Sequence, residues 1–411
     1  MSDTSPHLSI ADAVLEPQQD LERLGSRSLA VGLVAVAAMV LGYFLRPHDF
    51  HRAWLVACLL WFHVAAGLLG LGMLNHVTGG RWGALGRRVF EAAGRTLPAF
   101  LLFFLPIVLA MPALYPWADK AFVSHDPLLS YKASWWLNMP RFVGLEVVYV
   151  LALTGFAFAL SRLSHRQDEN ADARTSVAMQ RLSSAGLIVF VLLGSFASVD
   201  WIMSLDPHWF SSLFGFSWVA GQGLAGWAFL VPMMVFLSRR SPHRGLVTER
   251  VFHDYGKLML AFVMLWTYLT ISQFLIIWSG DLPEEVPWYL VRSSRGWLLV
   301  SGCLMLFHFA LPFLILLSAE IKKRPRRLMA VAFLVLGARW LDLFWQVAPS
   351  ALQWQEEQGL LTAGHATITW LDLVAPFAVG GLWVFLLTRQ LRQRAVLPVS
   401  DPLIKEAWAH G

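Results

Sequence analysis

Ten long apolar stretches divide this chain of 411 residues, and they constrain its fold more than any other feature. A helix needs about 20 mostly apolar residues to cross the hydrocarbon core of a bilayer. Hydrophobic residues make up 57% of the chain and charged residues only 14%, which is more apolar surface than a water-soluble core can hide. We therefore predict an all-α integral membrane protein with about ten transmembrane helices. The expected spans lie near 28–45, 53–74, 96–114, 142–161, 182–204, 212–237, 257–278, 296–318, 327–347 and 366–388.

The two ends of the chain are polar. The first 27 residues contain five acidic residues, and the first apolar run follows them without a small-residue cleavage pattern. This arrangement indicates a retained membrane anchor and not a removed signal peptide. We expect three parts: an N-terminal tail (1–27), a polytopic transmembrane domain (28–390) and a C-terminal tail (391–411).

The distribution of basic residues predicts the orientation of the chain. If the N-terminus lies inside, 24 of the 32 Lys and Arg residues fall in inside segments and 7 in outside loops. Cytoplasmic loops of membrane proteins carry such an excess. We therefore expect both termini in the cytoplasm. The same bias explains the net charge of +5, so we do not expect a nucleic-acid partner.

Cysteine usage bears on the redox groups that the chain could hold. Cys58 and Cys303 both lie within apolar runs, and no CxxC or CxxCH motif occurs. These observations disfavour disulfide scaffolds, iron–sulfur centres and covalently attached haem in this chain. His63 and His308 lie in different spans and could ligate a haem, but a lone histidine in a span is more often a packing residue. We predict no metal and no bound cofactor.

Polar residues interrupt several of the apolar runs. A charged side chain at mid-bilayer costs roughly 2.5–3.5 kcal/mol on insertion scales, so each needs a partner or a wet cavity. Arg339 and Asp342 are three residues apart and are expected to pair on one helix face. With the expected orientation, the four acids of this set lie toward the outer half of the membrane. The set comprises Glu146, Asp200, His308, Arg339, Asp342 and Asp372, with His63 and Gln273 as weaker members.

This polar set suggests a proton path. Carboxyl groups in a low-dielectric interior can take and release protons, and a chain of such groups relays charge between helices. Our hypothesis is that Glu146, Asp200, Asp342 and Asp372 line an outer half-path, with Arg339 paired to Asp342. On the cytoplasmic side the path is approached by His63, Lys257, His308 and Glu320. The alternative is that these residues only fix helix packing.

Two acid–proline segments resemble each other. DWIMSLDP and DLFWQVAP place Asp200 and Asp342 seven residues before Pro207 and Pro349, four spans apart. Two related four-helix units would give this pattern, with equivalent acids below equivalent helix ends. Because a residue before proline leaves the helical region, span 5 should end near Leu205.

The residues after Leu205 are expected to lie at the outer surface. Asp206 and Pro207 look like the cap and first position of a short interfacial helix. That helix would carry His208 and Trp209 at a surface turn that contacts a partner. The long outer loops are rich in tryptophan, which is typical of an interfacial aromatic belt or of a docking surface. They carry Trp117, Trp135, Trp136, Trp288 and Trp354.

Several segments together resemble one protein family. They read SVDWIMSLDPHW, NHVTGGRWGALGRRVFEAAGRTLP (75–98), FHDYGKLMLAFVMLWTYLTISQFLIIWSGDLPEEVPWYL (252–290) and LPVSDPLIKEAWAHG. They are similar to the ActF membrane subunit of bacterial alternative complex III, a quinol:cytochrome c oxidoreductase, which is related to NrfD/PsrC-like membrane subunits. The resemblance covers the chain from about residue 28 to its end.

The resemblance implies a fold, a location and partners. It implies two four-helix bundles with flanking helices in the bacterial inner membrane, without a redox centre or catalytic residue in this chain. The implied partners are a quinol-binding NrfD-like subunit, an iron–sulfur protein and c-type cytochromes, with a proton path as the contribution of this subunit. Two alternatives remain open: a quinol-binding membrane subunit, because aromatic helices with a histidine and an acid could hold a quinone head, and, more distantly, a secondary transporter.

Overall fold

The computed structural model describes residues 18–170, 172–294, 296–359, 368–398, 400–401 and 404. Within these ranges the regular structure is helical and no strand occurs. Ten of the described helices are long and apolar enough to cross a membrane, so the chain is an all-α, multi-pass membrane protein, as the ten apolar runs predict. In chain order they are α1 (Gln18–Leu45), α2 (Pro47–Thr78), α3 (Arg81–Leu109), α4 (Met139–Asn170), α5 (Arg174–Leu205), α6 (Phe214–Leu237), α7 (Glu249–Gly280), α8 (Trp297–Leu317), α9 (Pro325–Glu357) and α10 (Trp370–Leu391).

Several helices extend beyond their apolar runs. Helix α1 begins at Gln18, ten residues before the expected span, and α9 continues to Glu357 instead of ending near 347. An apolar run marks only the part of a helix that lies in lipid, whereas the intrahelical hydrogen bonds continue into polar surroundings. The expected boundary at residue 27 therefore falls inside α1. Residues 1–17 of the expected N-terminal tail lie outside the described residues.

The ten helices pack as two four-helix units with a flanking pair. Helices α2 to α5 pack around one another, and α6 to α9 form the second unit. The two units meet mainly where α2 packs on α6, while α1 and α10 pair with each other against α2. In α2, 94% of the most apolar 18-residue stretch is buried inside the protein, compared with 22% of the corresponding stretch in α1 and in α8. Helix α2 is thus the centre of the protein, and α1 and α8 lie at its lipid-facing edge.

Small residues bring the two units together. A Cβ atom added to Gly67 of α2 would lie 1.9 Å from the backbone oxygen of Gln222 in α6, and one added to Gly226 would lie 2.9 Å from the Gly67 backbone. Helices in membranes associate closely where glycine allows their backbones to touch. The α2–α6 contact therefore depends on glycine from both helices.

Prolines and a wide helical turn make two of the spans irregular. Helix α3 is α-helical over Arg81–Arg95 and then continues as short 3-10 and α segments beyond Pro98 and Pro106. Helix α8 contains a π-helical turn at Met305–Ala310. Such turns are rare and often mark functional sites.

Helix α5 ends where the proline predicts, but the next segment differs from expectation. The α-helical part ends at Trp201, and a 3-10 turn continues to Leu205. Residues 206–213 form turns and irregular structure, so the short interfacial helix predicted to begin at Asp206 is wrong. Tertiary contacts hold this segment instead: the carbonyl of Pro207 accepts a hydrogen bond from Lys132 Nζ at 2.7 Å, and Trp209 stacks on Trp288 with ring centroids 4.4 Å apart.

The similarity between the two acid–proline segments extends to their helices but not to the prolines. Asp200 and Asp342 occupy α5 and α9, the last helices of the two four-helix units. Pro349, however, lies inside α9, which continues to Glu357. The expected equivalence of helix ends at Pro207 and Pro349 is therefore wrong. A proline within a helix is tolerated when tertiary packing holds the helix on both sides of it.

We call the end of the bundle that carries residues 110–141 the loop end, and the opposite end, where α1 begins and α10 ends, the terminal end. At the loop end, Asp119 and Asp126 cap two short helices, Lys120–His125 and Pro127–Trp135, by accepting hydrogen bonds from backbone N–H groups. An aromatic belt requires tryptophans at the lipid interface, but three of the five loop tryptophans are buried inside the protein. The buried ones are Trp117, Trp288 and Trp354, whereas Trp135 is exposed.

Candidate functional site

Asp200 is the centre of the first polar cluster, which lies between α4 and α5. Its Oδ2 accepts a hydrogen bond from Tyr149 Oη at 2.5 Å, and its Oδ1 accepts one from Arg141 Nη1 at 3.3 Å. The guanidinium of Arg141 also lies 3.1 Å from the centre of the Trp136 ring. Asp200 is buried, so Tyr149 and Arg141 compensate for the loss of its hydration. Tyr149 lies three residues after Glu146 and shares its face of α4, but no spacing in the sequence marks it as the partner of Asp200, 51 residues away.

Glu146 belongs to the same cluster but has a different environment. It is 3% exposed, and neither carboxyl oxygen makes a hydrogen bond of good geometry with a described residue, although the indole N–H of Trp201 lies near its carboxyl group. Arg141, on the same helix, pairs with Asp200 and not with Glu146. A carboxylate buried without a partner is stable only if it holds a proton or meets water. Asp200 and Glu146 thus form an acid pair in which one member is compensated and the other is not.

The second polar cluster surrounds Arg339 and Asp342 on α9. Arg339 Nη1 donates to Asp342 Oδ2, which confirms the expected ion pair, and Gln346 Nε2 donates to the same oxygen at 3.0 Å. Arg339 is fully buried, and its Nε and Nη2 have no partner among the described residues. A Cβ atom on Gly221 of α6 would lie 2.5 Å from the guanidinium carbon, so this glycine makes room for the charge.

Two buried histidines lie near this guanidinium. His63 of α2 packs edge-on against Trp218, with ring centres 4.0 Å apart, and His308 of the π-helical turn lies 3.9 Å from the ring centre of Trp266. The electrostatic influence of Arg339 reaches both imidazoles. None of the four ring nitrogens makes a hydrogen bond of good geometry in the described part of the chain, although the backbone of Gly221 lies near the His63 ring. The structure therefore brings His63, His308, Arg339 and Asp342 together, from three helices.

Tryptophans occupy the space between the two clusters. Trp201 follows Asp200 directly, and its ring lies 6.2 Å from that of Trp218, which contacts His63. The indole N–H groups of both tryptophans are buried and make no hydrogen bond of good geometry with a described residue. The two clusters are thus connected by the contact between Trp201, beside Asp200, and Trp218, beside His63.

Asp372 lies apart from both clusters and is fully engaged. Arg52 donates to its two carboxyl oxygens at 3.4 and 2.8 Å, and the backbone and hydroxyl of Thr369 donate to it at 2.8 and 2.9 Å. Asp372 thereby closes the capping box at the start of α10. Arg52 is buried and also contacts Asp49 at 3.2 Å. This geometry suits a structural ion pair between α2 and α10.

The structure does not bring Lys257 and Glu320 to the buried clusters. Lys257 is 57% exposed and lies 3.8 Å from Asp254. Glu320 is 67% exposed and lies 3.7 Å from Arg324. Both are surface ion pairs at the terminal end of the bundle.

The expected surface turn contains two kinds of contact. His208 is half-exposed, and its Nε2 lies 2.9 Å from Asp126 Oδ2. Hydrogen bonds from backbone N–H groups and the neighbouring His208 hold the pKa of Asp126 below its usual range. Trp209 is buried, so it anchors the turn from within and presents no surface. Asp206 and His208 line a small cavity of about 90 Å³ at the loop end.

A buried charge network at the terminal end was not expected from the sequence. Arg88 donates to Glu91 at 2.8 Å and to Asp168, and Arg87 donates to Gln167 at 2.9 Å and to Asp401. The network ties α3 to α4 and to the C-terminal segment. In the sequence, these arginines contributed only to the distribution of basic residues that predicts the orientation. The one sign of their burial is that small and apolar residues surround them in α3.

No group of three or more metal-ligating side chains occurs in the ranges that the structure describes. Of the polar residues proposed from the sequence, Glu146 and Asp200 meet in one cluster and His63, His308, Arg339 and Asp342 in the other. In comparisons with known proteins, no protein-family model matches the chain, and no curated protein matches it.

Proposed function

We propose that this chain is a membrane subunit of a quinol:electron-acceptor oxidoreductase of the alternative complex III type, and that it contributes a proton path. One observation carries the proposal: two buried polar clusters, the acid pair Glu146–Asp200 and the Arg339–Asp342 ion pair with its two imidazoles, are connected through Trp201 and Trp218 at the contact between the two four-helix units. Ionisable residues at membrane depth are costly and are most often kept for ion or proton movement.

The first cluster has the groups that proton exchange requires. Glu146 has no compensating charge, whereas Asp200 is held by Tyr149 and Arg141. Two neighbouring acids in different environments differ in their proton affinity, so a proton can reside on one of them. The Tyr149 hydroxyl is the hydrogen-bond donor with which Asp200 would exchange a proton.

The second cluster has the groups that a proton relay requires. The ring nitrogens of His308 have no partner among the described residues, and those of His63 have only the nearby Gly221 backbone. A neutral imidazole can accept a proton at one nitrogen and release one from the other. Arg339 disfavours a second positive charge beside it, so a proton taken up there is readily passed on. The carboxylate of Asp342 is the acceptor that stabilises the proton while it is held in this cluster.

Water is the link that we propose between the clusters. The indole N–H groups of Trp201 and Trp218, the amide of Gln222 and the ring of His63 are buried polar groups that make no hydrogen bond of good geometry with a described residue. Such groups are where buried water binds, because each water needs two to four polar neighbours. The proposed path runs from the histidine cluster past these tryptophans to Asp200 and Glu146.

The resemblance of the four quoted segments supports the assembly part of the proposal. It points to a bacterial inner membrane, with both termini in the cytoplasm as the 24 to 7 distribution of basic residues favours. In this proposal the chain holds no redox centre. The quinol-oxidation site, the iron–sulfur clusters and the c-type haems belong to partner subunits.

The test combines purification with proton measurement. Mild-detergent extraction followed by mass spectrometry should recover c-type cytochromes, an iron–sulfur protein and an NrfD-like subunit with this chain. In vesicles containing that complex, Asp200→Asn and Asp342→Asn should each reduce quinol-driven proton release to less than about half while electron transfer continues, because each removes a proton-carrying group.

Asp254→Asn is the matched control, since Asp254 is an exposed acid in a surface ion pair. It should leave proton release unchanged. Wild-type proton release per electron in both buried variants would contradict the path. Purification of the chain without redox subunits would contradict the assembly.

A further inference from the structure

A cavity of about 270 Å³ lies within the second four-helix unit, between α7, α8 and α9. The short helix Val286–Arg292 closes it toward the loop end. Arg292 fixes this helix in place by donating to the backbone oxygens of Trp345 and Gln346 at 3.2 and 2.7 Å. The cavity therefore has a rigid roof.

The walls of the cavity are flat and mostly apolar. They are formed by aromatic rings from three helices and from the roof. Trp345 is held in its orientation because its Nε1 donates to Ser301 Oγ at 2.9 Å, and that hydroxyl donates to the Trp297 carbonyl at 3.0 Å. The polar atoms of this wall are thus already occupied. The lining rings are Trp266, Phe274, Tyr289, Phe309 and Trp345.

One wall carries a free hydrogen-bond acceptor. Asp342 lines the cavity, and both hydrogen bonds that its carboxylate receives, from Arg339 and Gln346, end on Oδ2. Its Oδ1 has no partner among the residues that the structure describes. An ionised carboxylate only accepts hydrogen bonds, and bonds to it are stronger than those between neutral groups. A molecule in the cavity would be held best through an O–H or N–H donor.

The cavity reaches the lipid-facing surface of the bundle. Leu298, Met305 and Phe274 line it and are 66%, 50% and 42% exposed. Met305 and Phe309 belong to the π-helical turn of α8, which shapes this side of the cavity. A molecule dissolved in the membrane can therefore reach the site from the side and leave an apolar tail in the lipid.

We propose that this cavity binds a membrane-soluble amphiphile whose flat, ring-shaped head donates a hydrogen bond to Asp342 and whose tail lies in lipid beside Leu298. The volume is slightly below the ~300 Å³ at which ligand pockets begin, so it suits a single head group and not a whole lipid. Aromatic quinols and ring-bearing lipid alcohols share this chemistry. The inference goes beyond the proposed proton path and stands without it.

The binding test uses a pair of probes that differ only in the donor. Purified chain in nanodiscs is mixed with labelled decylubiquinol, which carries ring hydroxyls, or with decylubiquinone, which carries only acceptors, and retention is compared with empty nanodiscs. Decylubiquinol should bind more tightly than decylubiquinone. Asp342→Asn should remove most of that difference, because the amide is a weaker, neutral acceptor.

Two neighbouring leucines provide a matched pair of variants. Leu298→Trp fills the opening and should weaken decylubiquinol binding at least about tenfold, or 1.4 kcal/mol. Leu299 is 74% exposed and does not line the cavity, so Leu299→Trp should bind as the wild type does. Equal affinities for the two leucine variants, or no preference between the probes, would overturn the proposal.

Solvent extraction of the purified wild-type chain identifies the source of the natural ligand. Mass spectrometry should find a ring-headed amphiphile that is depleted in Leu298→Trp and retained in Leu299→Trp. A redox-active product indicates a quinol, and a redox-inert one indicates a ring alcohol. Recovery of phospholipid alone, in equal amounts from both variants, would contradict the assignment.

Discussion

At the residue scale, two arginine–aspartate pairs of similar chemistry differ in how completely they are satisfied. Asp372 receives four hydrogen bonds from Arg52 and Thr369. Asp342 keeps one oxygen free, and Arg339 keeps two nitrogens without partners among the described residues. A buried ion pair is stable when all its polar atoms are used. In the Arg52–Asp372 pair only Arg52 Nη1 lacks a partner among the described residues, and the carboxylate is fully used. The Arg339–Asp342 pair is therefore the one whose carboxylate can serve a ligand or a proton.

Another buried histidine, His243, lies outside the membrane spans, in the segment between α6 and α7. It is 1% exposed, and burial lowers its pKa from about 6.5 to about 4. As the pH falls, His243 therefore takes up a proton at a higher pH in the unfolded chain than in the folded protein. The contribution of His243 to the free energy of unfolding is thus fully present above pH ~6.5 and is lost as the pH falls toward ~4. The loss is about 2 kcal/mol between pH 7.5 and pH 5.

The variant His243→Phe tests this dependence. In detergent, its thermal midpoint should fall less than that of the wild type when the pH is lowered from about 7.5 to about 5. His165→Gln serves as the control, because His165 is 54% exposed, and it should follow the wild type. An acid-induced loss of the same size in His243→Phe would exclude the assignment.

At the scale of elements, backbone irregularities lie beside the functional candidates. The 3-10 turn at the end of α5 begins three residues after Asp200, and its Ser204 hydroxyl donates to the Asp200 carbonyl at 2.5 Å. The π-helical turn of α8 presents His308 to the second polar cluster and Met305 to the cavity. Each irregular turn changes the direction of a side chain that a regular helix would place elsewhere.

The contact between α2 and α6 makes a prediction about helix packing. Gly67→Ala places a methyl group 1.9 Å from the Gln222 backbone oxygen, so the helices must separate. We expect a loss of about 1–3 kcal/mol, as overpacking typically costs. The measurement is the thermal midpoint of the purified chain in detergent.

The matched control for this prediction is Gly155→Ala in α4. A Cβ atom there meets no atom within 4 Å, and alanine is the better helix former by about 1 kcal/mol. This variant should therefore be as stable as the wild type or slightly more stable. Equal midpoints for the two alanine variants would show that the α2–α6 contact tolerates separation.

At the scale of the whole molecule, the two four-helix units carry their polar clusters toward a shared contact. The ten spans return the chain to the end where it started, and Arg392 after α10 lies 2.9 Å from Glu22 in α1. Both described chain ends therefore lie at the terminal end. The charge network of Arg87 and Arg88 closes that end, while the short helices and buried tryptophans close the loop end.

The proposed orientation predicts which surface is accessible from outside the cell. Ser124 is exposed at the loop end, and Arg244 is exposed between α6 and α7 at the terminal end. A membrane-impermeant thiol reagent should label Ser124→Cys in intact spheroplasts. It should label Arg244→Cys only after permeabilisation, because basic segments stay inside. The reverse pattern would invert the topology.

The number of helices, the membrane class and the end of α5 followed from the sequence, because length, hydropathy and proline act within one segment. The Arg339–Asp342 pair also followed, since helical spacing alone joins residues three apart. Only the tertiary structure decided that Tyr149 and Arg141 serve Asp200, that Asp372 is closed by Arg52, 320 residues away, and that Lys257 and Glu320 stay at the surface. It also replaced the helix expected at Asp206 by a turn stacked on Trp288. These outcomes depend on which helices pack together, and no local pattern specifies the partners that distant segments supply.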